Sequence, residues 1–268
     1  MLDSLTIQDL YIYPIKSLAG VRVSEAKVEE KGFKLDRRWM LIDEEGQFVS
    51  QRKFPLMAML QVEIGADSLV VYHISHPGEM IHIPFDKEVE ELTSVIVWDD
   101  AMPATLVDSQ IDKWFTKALG VNVRLVKMPN STERKVDSRY AVNGESVSFA
   151  DGMPYLIIGQ KSLEDLNSKL DEMVPMNRFR PNIVFTGGEA FEEDSWKKIR
   201  IGQVDFQVIK PCARCVMITV EQNTGVKGVE PLKTLATYRK VGNKIFFGQN
   251  MVALSNGTIK VGDKLTVE

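Results

Sequence analysis

The chain is poor in the side chains that most often hold metals by themselves: it has two cysteines, Cys212 and Cys215, and three histidines, His73, His76 and His82, in 268 residues. A four-thiolate iron–sulfur cluster is thereby excluded. Structural zinc takes four ligands, and all three histidines lie in the first half, far along the chain from the cysteine pair, so the ligand arithmetic weighs against it. Long apolar runs are also missing. "PYLIIG" at residues 154–159 is among the strongest, well short of the roughly 18 residues a membrane-spanning helix needs. Positive charge is not in surplus: the formal net charge is -4, so no general attraction to nucleic acid or an anionic membrane is expected, and any anion site must be local. No G-x-G-x-x-G fingerprint follows a strand-like run, and there is no internal repeat or low-complexity tract. The start, "MLDSLTIQDLYIYP", lacks the basic head and apolar middle of a signal peptide. The expected setting is cytoplasmic and reducing, where a cysteine pair is more often reactive or metal-binding than disulfide-bonded.

The first hundred residues read as strands. "LTIQDLYIYPIKS", "GVRVSEAKVEE", "RRWMLIDEEGQFVSQ", "MAMLQVEIGADSLVVYHI" and "VIVWDDAMPATLV" are rich in Val, Ile, Tyr and Trp and are broken by turn signals such as Glu45-Gly46. From Ser109 the period changes: Ile111, Trp114, Phe115, Ala118 and Leu119 share one helical face, with Asp108 or Ser109 as cap and Gly120 as stop. Residues 129–152 are polar and poorly periodic, which marks a long loop or inter-domain connection. Beyond it, helices are expected from Ser162 and after Pro231, among strands "NIVFTG", "KIRIG", "VDFQVIK", "VMITV", "KIFFGQNMVAL" and "GTIKVGDKLTV". The predicted fold class is mainly β with peripheral helices (α+β), in two β-barrel-like domains, residues 1–125 and 126–268.

Both cysteines fall in "VIKPCARCVMITVEQNTG". A Cys-x-x-Cys in a reducing compartment reads as a redox pair, as half of a zinc site, or as one ligand thiolate with a bystander. The thioredoxin-type pair opens a helix, whereas "VMITV" has the β-branched look of a strand. The third reading needs only one sulfur presented at a turn, and Arg214 and Lys210 bring positive charge of the kind that favours a thiolate. Two small buried hydrophobes are the plain alternative. Elsewhere, Lys16 and Ser17 follow a strand in "YPIKSLAG", Arg37-Arg38 open one in "LDRRWMLID", and Arg178, Arg180 and Asn182 lead into one in "NRFRPNIVFTGG". Brought together, these strand ends form a phosphate-binding rim; taken singly, each is an ordinary charged strand edge. His73 and His76 fit an exposed hairpin, Trp98-Asp99-Asp100 a strand end with a polar turn, and "GGEAFEEDSW" at residues 187–196 a solvated loop.

Taken together, "YPIKSLAG", "LDRRWMLIDEEGQFVSQR", "RFRPNIVFTGG", "PCARCVMITVEQNTG" and "FGQNMVALSNGTIKVGDKL" resemble the molybdenum cofactor sulfurase C-terminal (MOSC) family with its N-terminal β-barrel companion domain, in the branch of the amidoxime-reducing components. The resemblance runs through nearly the whole chain in motif order. It implies a molybdopterin site between two domains, with Cys215 as the catalytic thiolate on molybdenum and Cys212 as bystander. Lys16, Ser17 and Arg37 from the first domain, and Arg180, Asn182, Ala213 and Arg214 from the second, are then the cofactor-binding set. Relatives also carry a Thr-Ser pair before a Pro-aromatic step, where this chain has Gly152-Met153-Pro154-Tyr155. The implied function is a molybdenum-cofactor-dependent oxidoreductase reducing N-hydroxylated compounds. It would draw electrons from a separate ferredoxin- or cytochrome-like protein, since the sequence carries no ferredoxin extension. The alternative is a non-catalytic molybdopterin-binding or sulfur-carrier protein, because a thiolate beside a phosphate rim serves either role.

Overall fold

The computed structural model of the chain describes residues 4–87 and 92–268. Strands dominate and three α-helices lie outside them, the predicted fold class. The largest sheet runs in the order Leu265–Val267, Lys198–Ile201, Val204–Ala213, Lys244–Ala253, Tyr155–Gly159, Ile183–Thr186, Thr6–Ile12, Val21–Val23. Its one parallel pair is Tyr155–Gly159 with Ile183–Thr186, and these are joined through a helix, as a parallel connection requires. The first strand of the chain pairs antiparallel with Ile183–Thr186, setting Leu10 opposite Ile183. The sheet is therefore shared between the two halves of the sequence.

Alternation along the central strands explains why both faces of this sheet are covered. Ile157 and Ile183 point into one cluster with Leu10, Phe33, Tyr155 and Phe206, whereas Ile158 and Val184 point into another with Phe179 and Phe247. The second cluster is closed by α2 (Gln160–Asn167) through Leu163 and Leu166, and by α3 (Leu232–Tyr238) through Leu235. A four-stranded sheet of Trp39–Ile42, Arg124–Lys127, Asp100–Leu106 and Leu92–Val97, and a three-stranded meander from Leu60 to Pro84, make up most of the remaining first half. Their core takes Ile111, Phe115 and Leu119 from α1 (Ser109–Leu119). That helix has the expected ends: the Asp108 carboxylate accepts the Gln110 N–H at 2.7 Å, and Gly120 is left-handed at φ 69°.

Three expectations are corrected. "VMITV" is not a strand: Val216–Thr219 forms one 3-10 turn with Cys215 at its N-cap position, because Thr219 Oγ1 returns to the Val216 carbonyl at 2.8 Å and competes with ladder formation. Residues 129–152 lack regular strands, as expected, yet they are packed, with Val136, Val147, Phe149 and Ala150 buried. Buried Arg134 organises this segment, donating to the carbonyls of Ser148 (3.0 Å), Ala150 (2.5 Å) and Asp151 (3.1 Å) and to the Asp100 carboxylate (2.8 Å). The acidic stretch 187–196 is only partly solvated: Glu193 is fully buried and accepts from Gly159 N–H and Ser162 Oγ at the start of α2, so its carboxylate meets the unpaired amides there.

Gly248 marks the tightest place in the central sheet. Its φ is 77°, and a Cβ there would sit 2.6 Å from Ile158 Cγ1 and 2.8 Å from the Ile157 carbonyl oxygen. Gly248→Ala is expected to cost about 2 kcal/mol or more, from a left-handed alanine and a backbone clash together. Urea unfolding monitored by tryptophan fluorescence measures it, and an unchanged midpoint overturns it.

Candidate functional site

Between the two halves lies a cleft of about 350 Å³, within the size range of small-molecule sites. All eight residues singled out from the sequence line it: Lys16, Ser17, Arg37, Arg180, Asn182, Ala213, Arg214 and Cys215. The two strand ends, the turn after residue 180 and the Cys-x-x-Cys turn thus converge, which the sequence allowed only as a conditional. Among the lining residues six are Lys or Arg and one, Asp151, is acidic. A chain of net negative charge carries here a concentrated cationic pocket.

Local backbone geometry makes this convergence possible. Six non-glycine residues described in the structure have left-handed φ, and four of them, Ser17 (67°), Arg37 (48°), Trp98 (58°) and Arg180 (54°), line the cleft. Left-handed backbone is costly for side chains of this size and is retained where packing enforces it, commonly at functional sites. Asp36, fully buried, enforces part of it. Its carboxylate accepts Tyr13 N–H (2.8 Å), Asn182 Nδ2 (3.1 Å) and Arg37 Nη1 (2.6 Å), fixing one residue from each strand end. The Arg37 and Arg180 guanidinium carbons each lie 4.3 Å from the Tyr13 ring centroid, and Arg180 Nη1 donates to the Leu18 carbonyl at 2.7 Å. Burial, chiefly, brings Arg180 down to about 10, which leaves it a cation at neutral pH.

Lys16 is buried, and its Nζ donates to the Phe149 carbonyl and to Asp151 Oδ1, both at 2.7 Å. Burial lowers Lys16 to about 8, against the pull of Asp151, so it carries its charge below that pH and loses it above. The Asp151 side chain is 54% exposed, and the Lys16 and Arg52 cations hold its carboxylate well below the usual carboxylate range. Arg214 braces the far wall rather than lying free, with Nη1 on the Phe179 carbonyl (2.8 Å) and Nε on that of Phe247 (2.8 Å). Arg178 also lines the cleft, but its donors go to the carbonyls of Ile218 (2.8 Å) and Glu230 (3.0 Å), tying the 3-10 turn to the approach to α3.

Cys212 and Cys215 are both free thiols in the cleft wall. Burial pushes the Cys212 thiol up, holding it neutral. The cation beside Cys215 is neither of those expected. Lys210 stacks on Tyr140, and Arg214 is spent on carbonyls, whereas Arg52 places Nε 3.2 Å from Cys215 Sγ. Arg52, Asp151 and Asn250 are site residues that sequence reasoning did not assign. Trp98 is a fourth: half exposed, it lines the cleft with its ring 4.4 Å from the Arg52 guanidinium carbon, more than a turn residue. Gly152 and Met153 line the wall too, and a Cβ at Gly152 would meet nothing within 4 Å. His73 and His76 lie apart from the cleft, at a hairpin beside Trp114.

The fit to a phosphorylated, metal-bearing cofactor is tested by unpaired groups. Ser17 Oγ is buried in the cleft wall without a hydrogen-bond partner, a cost that a phosphate or pterin acceptor would remove. Among the described residues no three His, Cys, Asp or Glu side chains cluster to hold a metal. A metal held here by these side chains alone would lack a full ligand set, which fits a metal carried in by a cofactor. Among the described residues no helix is long and apolar enough to cross a membrane.

Comparison with known proteins gives the same ordering of parts. The family model described as MOSC N-terminal beta barrel domain matches residues 4–122, and that described as MOSC domain matches residues 144–266. The chain is 32% identical over 275 residues to mitochondrial amidoxime-reducing component 1 of Mus musculus, spanning 96% of this chain and 81% of that protein. Its Homo sapiens counterpart is 33% identical over 280 residues, with the same two coverages. The molybdenum cofactor sulfurase of Arabidopsis thaliana is 30% identical over 269 residues, which is 90% of this chain but 32% of that much longer protein.

Proposed function

Since the chain belongs to the MOSC family, with a MOSC N-terminal beta barrel domain ahead of the MOSC domain, we propose that it is a molybdenum-cofactor-dependent oxidoreductase that reduces N-hydroxylated compounds. The observation that carries the reading is the meeting of one half-buried sulfur, Cys215, with a cationic wall and an unpaired buried Ser17 hydroxyl in a single cleft. In this reading residues 1–125 and 126–268 are the two domains and the cofactor lies between them.

Bound there, the cofactor supplies a two-electron redox centre. Cys215 Sγ anchors it to the protein. Lys16, Arg37 and Arg180 neutralise its phosphate, with Ser17 Oγ as a neutral donor, and Asn182, Ala213 and Arg214 complete the binding wall. No protein base is assigned, because these side chains bind and orient rather than titrate during the reaction. The overall change is cleavage of the N–O bond: R–NHOH, two electrons and two protons give R–NH2 and water. The electrons come from a separate electron-transfer protein, in keeping with two cysteines and no dinucleotide fingerprint in the chain.

The test is metal analysis of protein purified from a molybdenum-replete host, followed by benzamidoxime reduction with an artificial electron donor. Stoichiometric molybdenum with turnover is the expected result. Bound cofactor without turnover of any N-hydroxylated compound overturns the enzyme reading in favour of a carrier.

A further inference from the structure

One contact in the cleft is unaccounted for by cofactor anchoring alone. Arg52, from the turn after Ser50, reaches across 163 positions of sequence to place Nε 3.2 Å from Cys215 Sγ. The same edge of its guanidinium places Nη2 2.8 Å from Asp151 Oδ2. Asp151 Oδ1 in turn accepts Lys16 Nζ at 2.7 Å, and the Asp151 carbonyl is held by Arg134 at 3.1 Å. The Trp98 ring lies against the plane at 4.4 Å. The backbone that carries Arg52 is locked as well: Gln51 Nε2 donates to the Ser17 carbonyl at 2.7 Å, and Gln222 Nε2 donates to Gln51 Oε1 at 3.2 Å. Arg52 thus has a fixed origin, a fixed plane and a fixed far end, with its inner donor directed at sulfur.

We propose that Arg52 is a positioning residue for the metal-binding sulfur, donating one N–H to Cys215 Sγ and thereby setting both the sulfur's orientation and its electron donation to the bound metal. The inference rests on the reading of Cys215 as ligand. Hydrogen bonds to a ligating sulfur withdraw electron density and raise the potential of the metal it binds. Only arginine has two donors on one rigid edge that can span from a sulfur to a carboxylate; lysine keeps the charge but not the fork. Asp151 is the anchor that holds the fork in register, which accounts for a carboxylate within an otherwise cationic wall. The remaining Arg52 nitrogen, Nη1, is buried without a partner.

The test uses two preparations of the full chain, each in a Cys212→Ser background so that one thiol is read. Without cofactor, the rate of Cys215 alkylation by iodoacetamide is measured at neutral pH. Arg52→Gln is expected to slow it about tenfold, since the cationic donor facing the attacking sulfur is lost, Arg52→Lys less, and Asp151→Asn to an intermediate degree. With cofactor, the midpoint potential and Mo(V) paramagnetic resonance spectrum are recorded; Arg52→Gln and Arg52→Lys are expected to lower the potential and alter the spectrum. Should Arg52→Gln fail to fold, Asp151→Asn, which retains the guanidinium and releases only its anchor, gives the reading. Wild-type alkylation rates together with an unaltered spectrum and potential overturn the proposal. A slowed alkylation in a protein that reduces no N-hydroxylated compound upholds Arg52 and sinks the enzymatic reading, so the two fail separately.

Discussion

Cys215→Ser is expected to strip molybdenum from the purified protein and abolish reduction of N-hydroxylated compounds, while Cys212→Ser leaves both close to wild type. The two thiols share a cleft, yet their surroundings differ. Cys215 faces a guanidinium at 3.2 Å, whereas the Cys212 thiol is pushed up by burial and packs against the cluster around Phe179 and Phe247. A neutral thiol is neither a good ligand nor a nucleophile. Serine in place of Cys215 is nearly isosteric but supplies a hard oxygen that stays protonated, so the loss is of ligation, not of packing; stability should change by no more than about 0.5 kcal/mol. Elemental analysis, turnover and a thermal melt on both variants check this. Equal loss of activity in the two would point to a redox pair instead and overturn the single-ligand assignment.

The largest loss of stability is expected from Asp36→Ala, about 3–5 kcal/mol. Asp36 is fully buried and serves three donors, one of them the Arg37 guanidinium, whose side chain is itself only 12% exposed. Removing the carboxylate leaves the Tyr13 N–H without its acceptor and the Arg37 cation without its counter-charge, with only neutral acceptors on Asn182 and Arg180 remaining to it, and the uncompensated charge dominates the cost. The same change frees Arg37 and Asn182, so cofactor retention should fall together with stability. Denaturant unfolding at unchanged slope, compared with Asp36→Asn, which keeps one acceptor, separates charge from hydrogen bonding. A midpoint within error of wild type would mean that Arg37 finds another partner.

Much of this was readable from the chain. Asp108, the apolar face of Ile111, Phe115 and Leu119, and Gly120 specify α1 because cap, period and stop are all local. The resemblance to the family picked out eight residues in short motifs, and the fold brings all eight to one cleft. What escaped has a common physical cause: side chains whose role is set by partners distant in sequence. Asp151 follows an unremarkable Phe-Ala step, and nothing near it announces that Lys16 and Arg52 converge on it. Arg134 lies in a polar stretch that reads as solvent-facing, and its burial follows from carbonyls more than ten residues away. "VMITV" was misread because β-branched residues favour strands on average, whereas here the Thr219 hydroxyl closes a turn.

The pairing of Thr6–Ile12 with Ile183–Thr186 also has a consequence for biosynthesis. Tyr11 emerges from the ribosome 171 residues before Asn182, whose side chain it binds, a wait of roughly 10–35 s at ordinary translation speeds. Throughout that interval Ile7, Leu10 and Ile12 have the short strand Val21–Val23 on one side, which pairs Leu10 with Val23 and Ile12 with Val21, but the other edge of their strand stays open. The open edge closes only when Ile183–Thr186 has been made, so the cleft that draws on both halves of the sequence forms late in synthesis.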